Sequence, residues 1–164
     1  SLRNPEDKIL TKTMINNYAK NDLLPPPVKK KYSREHIIML IFIYYYKGIL
    51  SINDIQALLG PLTEKYFQGE GDINLGAIYE EGFSLEKAQV DAMKEDVVTK
   101  FEMAHTLFED AKEEDKETLQ MFSFICLLSF DVYLKKLMIE KMLDNYVTAK
   151  EGQAAVKEKK SKEK

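Results

Sequence analysis

At 164 residues, with 45% hydrophobic and 31% charged side chains, the chain has material for one domain, or for a small module with a helical extension. A single cysteine, Cys126, excludes an internal disulfide framework and a four-cysteine zinc site, and fits a reducing cytosol. The net charge of −3 is unevenly spread: residues 1–59 carry 9 basic and 5 acidic side chains, residues 60–118 carry 6 and 16, and residues 119–164 carry 9 and 6. A basic head ahead of an acidic middle directs the search for a polyanion site to the head.

Ser1 to Ile9 is polar, is expected to be extended or frayed, and shows no signal-peptide pattern, so a cytoplasmic location is expected. Thr11 to Lys20 predicts a short helix: Thr11 is a candidate cap, Met14, Ile15 and Tyr18 are apolar, and Thr13, Asn16, Asn17 and Lys20 are polar. It stops at Asn21-Asp22, and Leu23-Leu24 leads into Pro25-Pro26-Pro27, which cannot continue a helix. Lys29-Lys30-Lys31 and Tyr32 follow as a basic loop. Ser33 then caps a second helix with Ile37, Leu40 and Ile41 at helical spacing, ended by Gly48. Ser51 caps a third, short amphipathic helix with Ile52, Ile55, Leu58 and Leu59 on one face.

From Gly60-Pro61 the pattern breaks. Leu62, Tyr66 and Phe67 allow one or two more helical turns, Gly69 to Asp72 reads as a loop, and Ile73 to Tyr79 as a short helix ended by Gly82. Ser84 is expected to start a long helix with the apolar stripe Leu85, Ala88, Met93, Val97, Phe101, Ala104, Phe108 and Ala111, whose last steps have heptad spacing. The charge run Lys112 to Glu117 predicts a turn. A second long helix follows from about Glu117 to Tyr146. Its Leu119–Leu134 half is apolar nearly all round but too short for a bilayer, so it reads as buried between neighbours or against a second subunit. The lysine-rich end past Thr148 is expected to be a solvated tail.

Chemistry-bearing clusters are scarce. There is no glycine-rich phosphate loop and no nucleophile–base motif, so no catalytic residue and no enzymatic activity is assigned. Glu102-x-x-His105 is one half of a di-iron motif that needs a second copy, and His36 lacks that spacing, so no metal and no cofactor is expected. Cys126 reads as a small buried hydrophobe. Tyr44, Tyr45 and Tyr46 are consecutive on a helix and point apart, which excludes one stacking platform.

The head carries a resemblance. MINNYAKNDLLPP followed by KKKYSREHI resembles the second helix and wing of the MerR family of transcription regulators, through Tyr18, Leu23, Leu24, Pro26, Tyr32 and the Ser33 cap. The family's next two helices are echoed by IIMLIFIYYYKGILSINDIQALL. The string TKTMINNY…PPPVKKKYSREHI is more closely similar to an uncharacterised bacterial family, a domain of unknown function with a MerR-like head. The chain departs from the MerR pattern at Asn16 and Asn17 (arginine and tyrosine in the family), at Asp22 (the turn glycine) and at Lys30 (the wing arginine). The helix that ordinarily precedes the recognition helix is not evident before Leu10.

The low glycine count and the scattered leucine, methionine and lysine point to an all-α chain, and the resemblance leaves room for a minor β wing. A winged helix-turn-helix head at residues 10–59 would precede a helical dimerisation or regulatory domain at 60–148, between a flexible N-terminus (1–9) and a lysine-rich tail (149–164). It implies a dimeric regulator reading pseudo-palindromic double-stranded DNA, with an effector as a further partner and no membrane. Thr11, Lys12, Thr13, Asn16, Asn17, Tyr18 and Lys20 would form the recognition helix, and Lys29, Lys30, Lys31, Tyr32 and Arg34 would hold the phosphate backbone. Arg34 opposes the dipole at its helix start, which points to an outside partner such as phosphate. For each of these residues the competing reading is an ordinary solvated face. For the whole chain it is a helical protein–protein interaction module that has lost DNA binding.

Overall fold

A computed structural model describes residues 10–69 and 71–162, without the side chains of 151 and 153–162. The protein is mostly helical, with no strand among the described residues. The helices are α1 (Lys12–Lys20), α2 (Arg34–Tyr46), α3 (Ile52–Tyr66), α4 (Leu75–His105) and α5 (Glu113–Lys162). The chain divides into two compact units, residues 1–80 with 140–164, and residues 81–139. The expectations for residues 1–9 lie outside the described residues.

In the first unit, capping side chains set the starts of the helices. Thr11 Oγ1 accepts the Met14 N–H at 3.2 Å at the head of α1. Ser51 and Asp54 form a reciprocal capping box on α3: Ser51 Oγ accepts the Asp54 N–H at 3.2 Å, and Asp54 Oδ2 accepts the Ser51 N–H at 3.1 Å. The end of α1 is closed by a Schellman pair. The Leu23 N–H donates to the Tyr18 carbonyl at 2.9 Å and the Asp22 N–H to the Ala19 carbonyl at 3.4 Å. Asp22 holds the left-handed position between them, with φ of 54°. Glycine is usual there, and aspartate is among the few residues that tolerate it.

α2 is apolar on several sides and occupies the centre of this unit, with His36, Ile38, Met39, Leu40 and Ile43 buried. Tyr18, Leu23 and Leu24 pack on it from the α1 side, Leu50, Ile55 and Leu59 from the α3 side, and Leu75 and Leu143 complete the cluster. Gly48 keeps negative φ, so α2 ends without the left-handed glycine that its sequence suggested.

α3 runs through Gly60-Pro61, past the expected boundary at residue 60. Pro61 removes one backbone donor. The helix persists because fully buried Leu59 lies before it, while Leu62 and Phe67 pack on the core after it. Likewise, α4 is one helix of 31 residues where a break at Gly82 and a new start at Ser84 were expected. Its N-terminal donor is met by Asn74, whose Oδ1 accepts the Ala77 N–H at 3.0 Å. Ser84 is no cap: its hydroxyl donates to the Glu81 carbonyl at 2.7 Å within the helix.

In the second unit, residues 81–105 of α4 and 113–139 of α5 form an antiparallel hairpin. Lys100 meets Asp131, Phe101 meets Phe124, and Gln120 meets His105. The turn lies at residues 106–112, so Phe108 and Ala111 are not on the helix where the heptad spacing placed them. The run from Glu113 to Glu117 begins α5 instead of forming the turn. Three acidic residues in its first turn complement the helix dipole, which is the reason a charge run starts a helix here. The backbone of α5 continues helically to Lys162, beyond the expected start of the tail. No helix among the described residues is long and apolar enough to cross a membrane.

Candidate nucleic-acid interface

The basic loop is built by its backbone. Leaving Pro25-Pro26-Pro27, the chain forms a two-residue turn in which the Lys31 N–H donates to the Val28 carbonyl at 2.9 Å. Val28 and Lys31 make an isolated antiparallel bridge, all the β structure found among the described residues. Between them Lys29 has φ of 49° and Lys30 of 63°. Positive φ at both central residues is the type I′ pattern, normally built from Asn-Gly. Each lysine there costs on the order of 1 kcal/mol of backbone strain. Both side chains, and that of Lys31, are exposed. A tight turn therefore projects three cations where glycine would serve the fold better.

The loop is joined to α2 and α3 through His36, which is 2% exposed. The Ser33 backbone N–H donates to His36 Nδ1 at 3.0 Å, so Nδ1 is the acceptor and the ring proton sits on Nε2. The ring lies edge-to-face between Tyr32 (5.3 Å, 86°) and Phe67 (4.8 Å, 89°). Nε2 is buried and has no hydrogen-bond partner. His36 thus fixes the end of the basic loop to the C-terminus of α3. Sequence reasoning weighed this residue only as a metal ligand. The Ser33-x-x-His36 spacing of a capping box was the signal it missed. The Ser33 hydroxyl also hydrogen-bonds Glu35, holding that carboxyl below the ordinary range.

On α1, Thr13, Asn16, Asn17 and Lys20 are all exposed, at steps of three, one and three that share a face; Lys12 is exposed beside them. Thr11 is occupied in capping. Tyr18 is 6% exposed, and burial pushes its hydroxyl pKa up. Its ring is core packing, not a surface contact, because the opposite face of α1 must be buried on α2. Tyr32 is half-exposed, one side taken by His36. Arg34 has an internal partner in place of the expected external one: its Nη2 lies 3.2 Å from Glu80 Oε1, with both side chains about 70% exposed. That pair is worth little against solvent, and it leaves the guanidinium accessible.

Elsewhere, His105 Nδ1 is 3.0 Å from the Phe101 carbonyl, and Cys126 is exposed instead of buried as its apolar neighbours suggested. Tyr44 to Tyr46 spread along α2, with Tyr46 on the core cluster and Tyr45 half-exposed.

The described site is a local arrangement of caps, turn and core contacts within residues 10–80, and comparison with known proteins coincides with that stretch. No curated protein and no solved structure matches the chain. A family model described as a domain of unknown function, DUF1836, matches residues 1–82, half of the sequence, and the chain belongs to that family.

Proposed function

We propose that the protein is a DNA-binding regulator that acts as a dimer, its head contacting the duplex through the exposed face of α1 and the basic turn. The observation that carries this reading is the turn itself. Lys29 and Lys30 occupy left-handed backbone that glycine or asparagine would take at lower cost. Backbone strain borne by exposed cations is a mark of a site kept for what the cations touch. The +4 balance of residues 1–59 (9 basic, 5 acidic) supports a polyanion as that partner. In this reading Thr13, Asn16, Asn17 and Lys20 read or flank bases, and Lys29, Lys30, Lys31, Tyr32 and Arg34 hold phosphates. The resemblance of residues 10–59 to MerR-like heads points the same way.

The test is selection from a randomised duplex library, with the enriched pool re-measured across salt. Enrichment of a two-fold symmetric site, with affinity falling on releasing roughly 3–6 counterions per head, is expected. Changing Lys29, Lys30 and Lys31 together to alanine is expected to reduce affinity and flatten the salt dependence. An unchanged affinity removes the turn from the interface.

A second reading is a helical interaction module without DNA binding. It is favoured by Asn16 and Asn17 standing where the MerR pattern has arginine and tyrosine. Absence of duplex binding even at low salt selects it.

A further inference from the structure

The hairpin of residues 81–139 buries few of its side chains and leaves most of its large apolar ones outside. Among its residues only Ala104 and Gln120 are buried. The contacts that join its helices include a Lys100–Asp131 ion pair at 2.8 Å and the Gln120 amide on two carbonyls. Meanwhile nineteen large hydrophobic side chains of this unit are exposed, among them Met93, Met121, Phe122, Phe130, Val132 and Met138, each more than half exposed. Such a surface far exceeds the isolated apolar residues of an ordinary solvated face.

Several features identify what covers it. α5 is apolar nearly all round from Leu119 to Leu134, yet in the hairpin it has a single neighbour within the unit. A helix of that kind needs neighbours on more than one side. A second identical hairpin supplies a further neighbour for each helix and makes a four-helix arrangement. The area suffices. A half-exposed large side chain leaves on the order of 80 Å² in water. Ten of the nineteen therefore provide about 800 Å², one partner's share of a stable interface.

The surface is also self-complementary. Between α4 and α5 lies a groove of about 590 Å³, with small Thr106, Ser123 and Cys126 lining it among bulkier Leu107, Phe122 and Phe130. Hole and projecting side chains occur on the same surface, as a two-fold contact between identical chains requires. Along the apolar half of α5 a charged partner finds little to read. From Leu119 to Leu134 Asp131 is the sole charge, and Lys100 and Lys135 already meet it.

We propose that residues 81–139 bind a second copy of this chain, the groove of each copy receiving Phe122 and Phe130 of its mate. All but the first two residues of this unit lie outside the region matched by the family; the proposal gives the dimer of the proposed function its contact, and it stands whether or not the head binds DNA.

The test uses the full chain without DNA, by sedimentation from about 1 to about 100 μM, together with the maleimide labelling rate of Cys126, its single thiol. A dimer mass is expected, with labelling slowed at least tenfold as the dimer fills. The double substitution Phe122→Glu with Phe130→Glu is expected to give a monomer of unchanged helicity by circular dichroism, with fast labelling. Should that variant unfold, the wild-type labelling series decides alone. A monomer at the highest concentration with Cys126 fully reactive overturns the proposal. So does a dimer in which Cys126 labels at the monomer rate, or a wild-type chain that stays monomeric and partitions onto phosphatidylcholine vesicles. Loss of duplex binding with the dimer intact counts against the DNA-binding reading and not against this interface.

Discussion

The Gln120 amide donates to the His105 carbonyl at 2.8 Å and to the Leu107 carbonyl at 3.0 Å, so a side chain of α5 closes the end of α4. A helix end leaves carbonyls without partners, and here a buried amide from the facing helix supplies the donor. Replacing Gln120 with leucine keeps the volume roughly but strands those carbonyls in a site only 7% exposed. A loss of about 1–3 kcal/mol is expected, read by urea unfolding at fixed protein concentration. An unchanged midpoint would show that the α4 end is satisfied by water instead.

The type I′ turn makes charge and stability separable. Changing Lys29 to Asn and Lys30 to Gly gives the turn the residues its backbone favours. Stability is expected to rise by about 1 kcal/mol, the relief of strain exceeding glycine's extra unfolded-state entropy. Duplex affinity is expected to fall at the same time, with a salt slope shallower by about 0.9 for each phosphate that the turn no longer neutralises. A variant that is more stable and binds as before would mean that these lysines touch no phosphate.

His36 is the link between the basic turn and α3. His36→Ala removes the acceptor for the Ser33 N–H and the ring between Tyr32 and Phe67. It is expected to cost roughly 2–4 kcal/mol. His36→Phe keeps a ring but not the acceptor and is expected to cost about 1 kcal/mol. Thermal unfolding of both variants checks the order. If phenylalanine is as damaging as alanine, the packing of the rings is not what holds the loop.

In the hairpin, Asp131 and Lys100 set opposite pH limits. The Lys100 ammonium holds the Asp131 carboxyl below its ordinary range. Asp131 first, and then Asp96, hold the Lys100 ammonium above its own. The depressed Asp131 contributes stability that is present above its unfolded value and lost as pH falls through the folded one. The raised Lys100 contributes stability that is present below its unfolded value and lost as pH rises through the folded one. The stability lost in Asp131→Asn is therefore expected to be constant through neutral pH. It should shrink as pH falls below the ordinary aspartate value of about 3.9. Denaturant unfolding of wild type and variant over that range measures it, and a difference that does not shrink in acid would refute the pairing.

By itself the sequence determined what depends on neighbours within a few residues. Thr11 and Ser51 cap their helices because a side-chain oxygen reaches an N–H three residues on. α1 stops at Asn21-Asp22, where the sequence placed its end, and Ile55 and Leu59 are buried because helical spacing puts them on one side of α3. The basic turn was legible as charge after a stiff lead, although its left-handed lysines were not, since propensity argues against them.

Tertiary contacts decided the rest. Gly60-Pro61 and Gly82 read as breaks, yet the helices pass through them. At Gly60-Pro61 the buried residues on either side hold the helix against a local cost of about 1–3 kcal/mol. The turn of the hairpin moved from 112–117 to 106–112, where Gln120 completes the end of α4. Arg34 found Glu80, 46 residues away. No window of sequence contains both partners of such contacts, so packing of distant segments had to choose among locally acceptable alternatives.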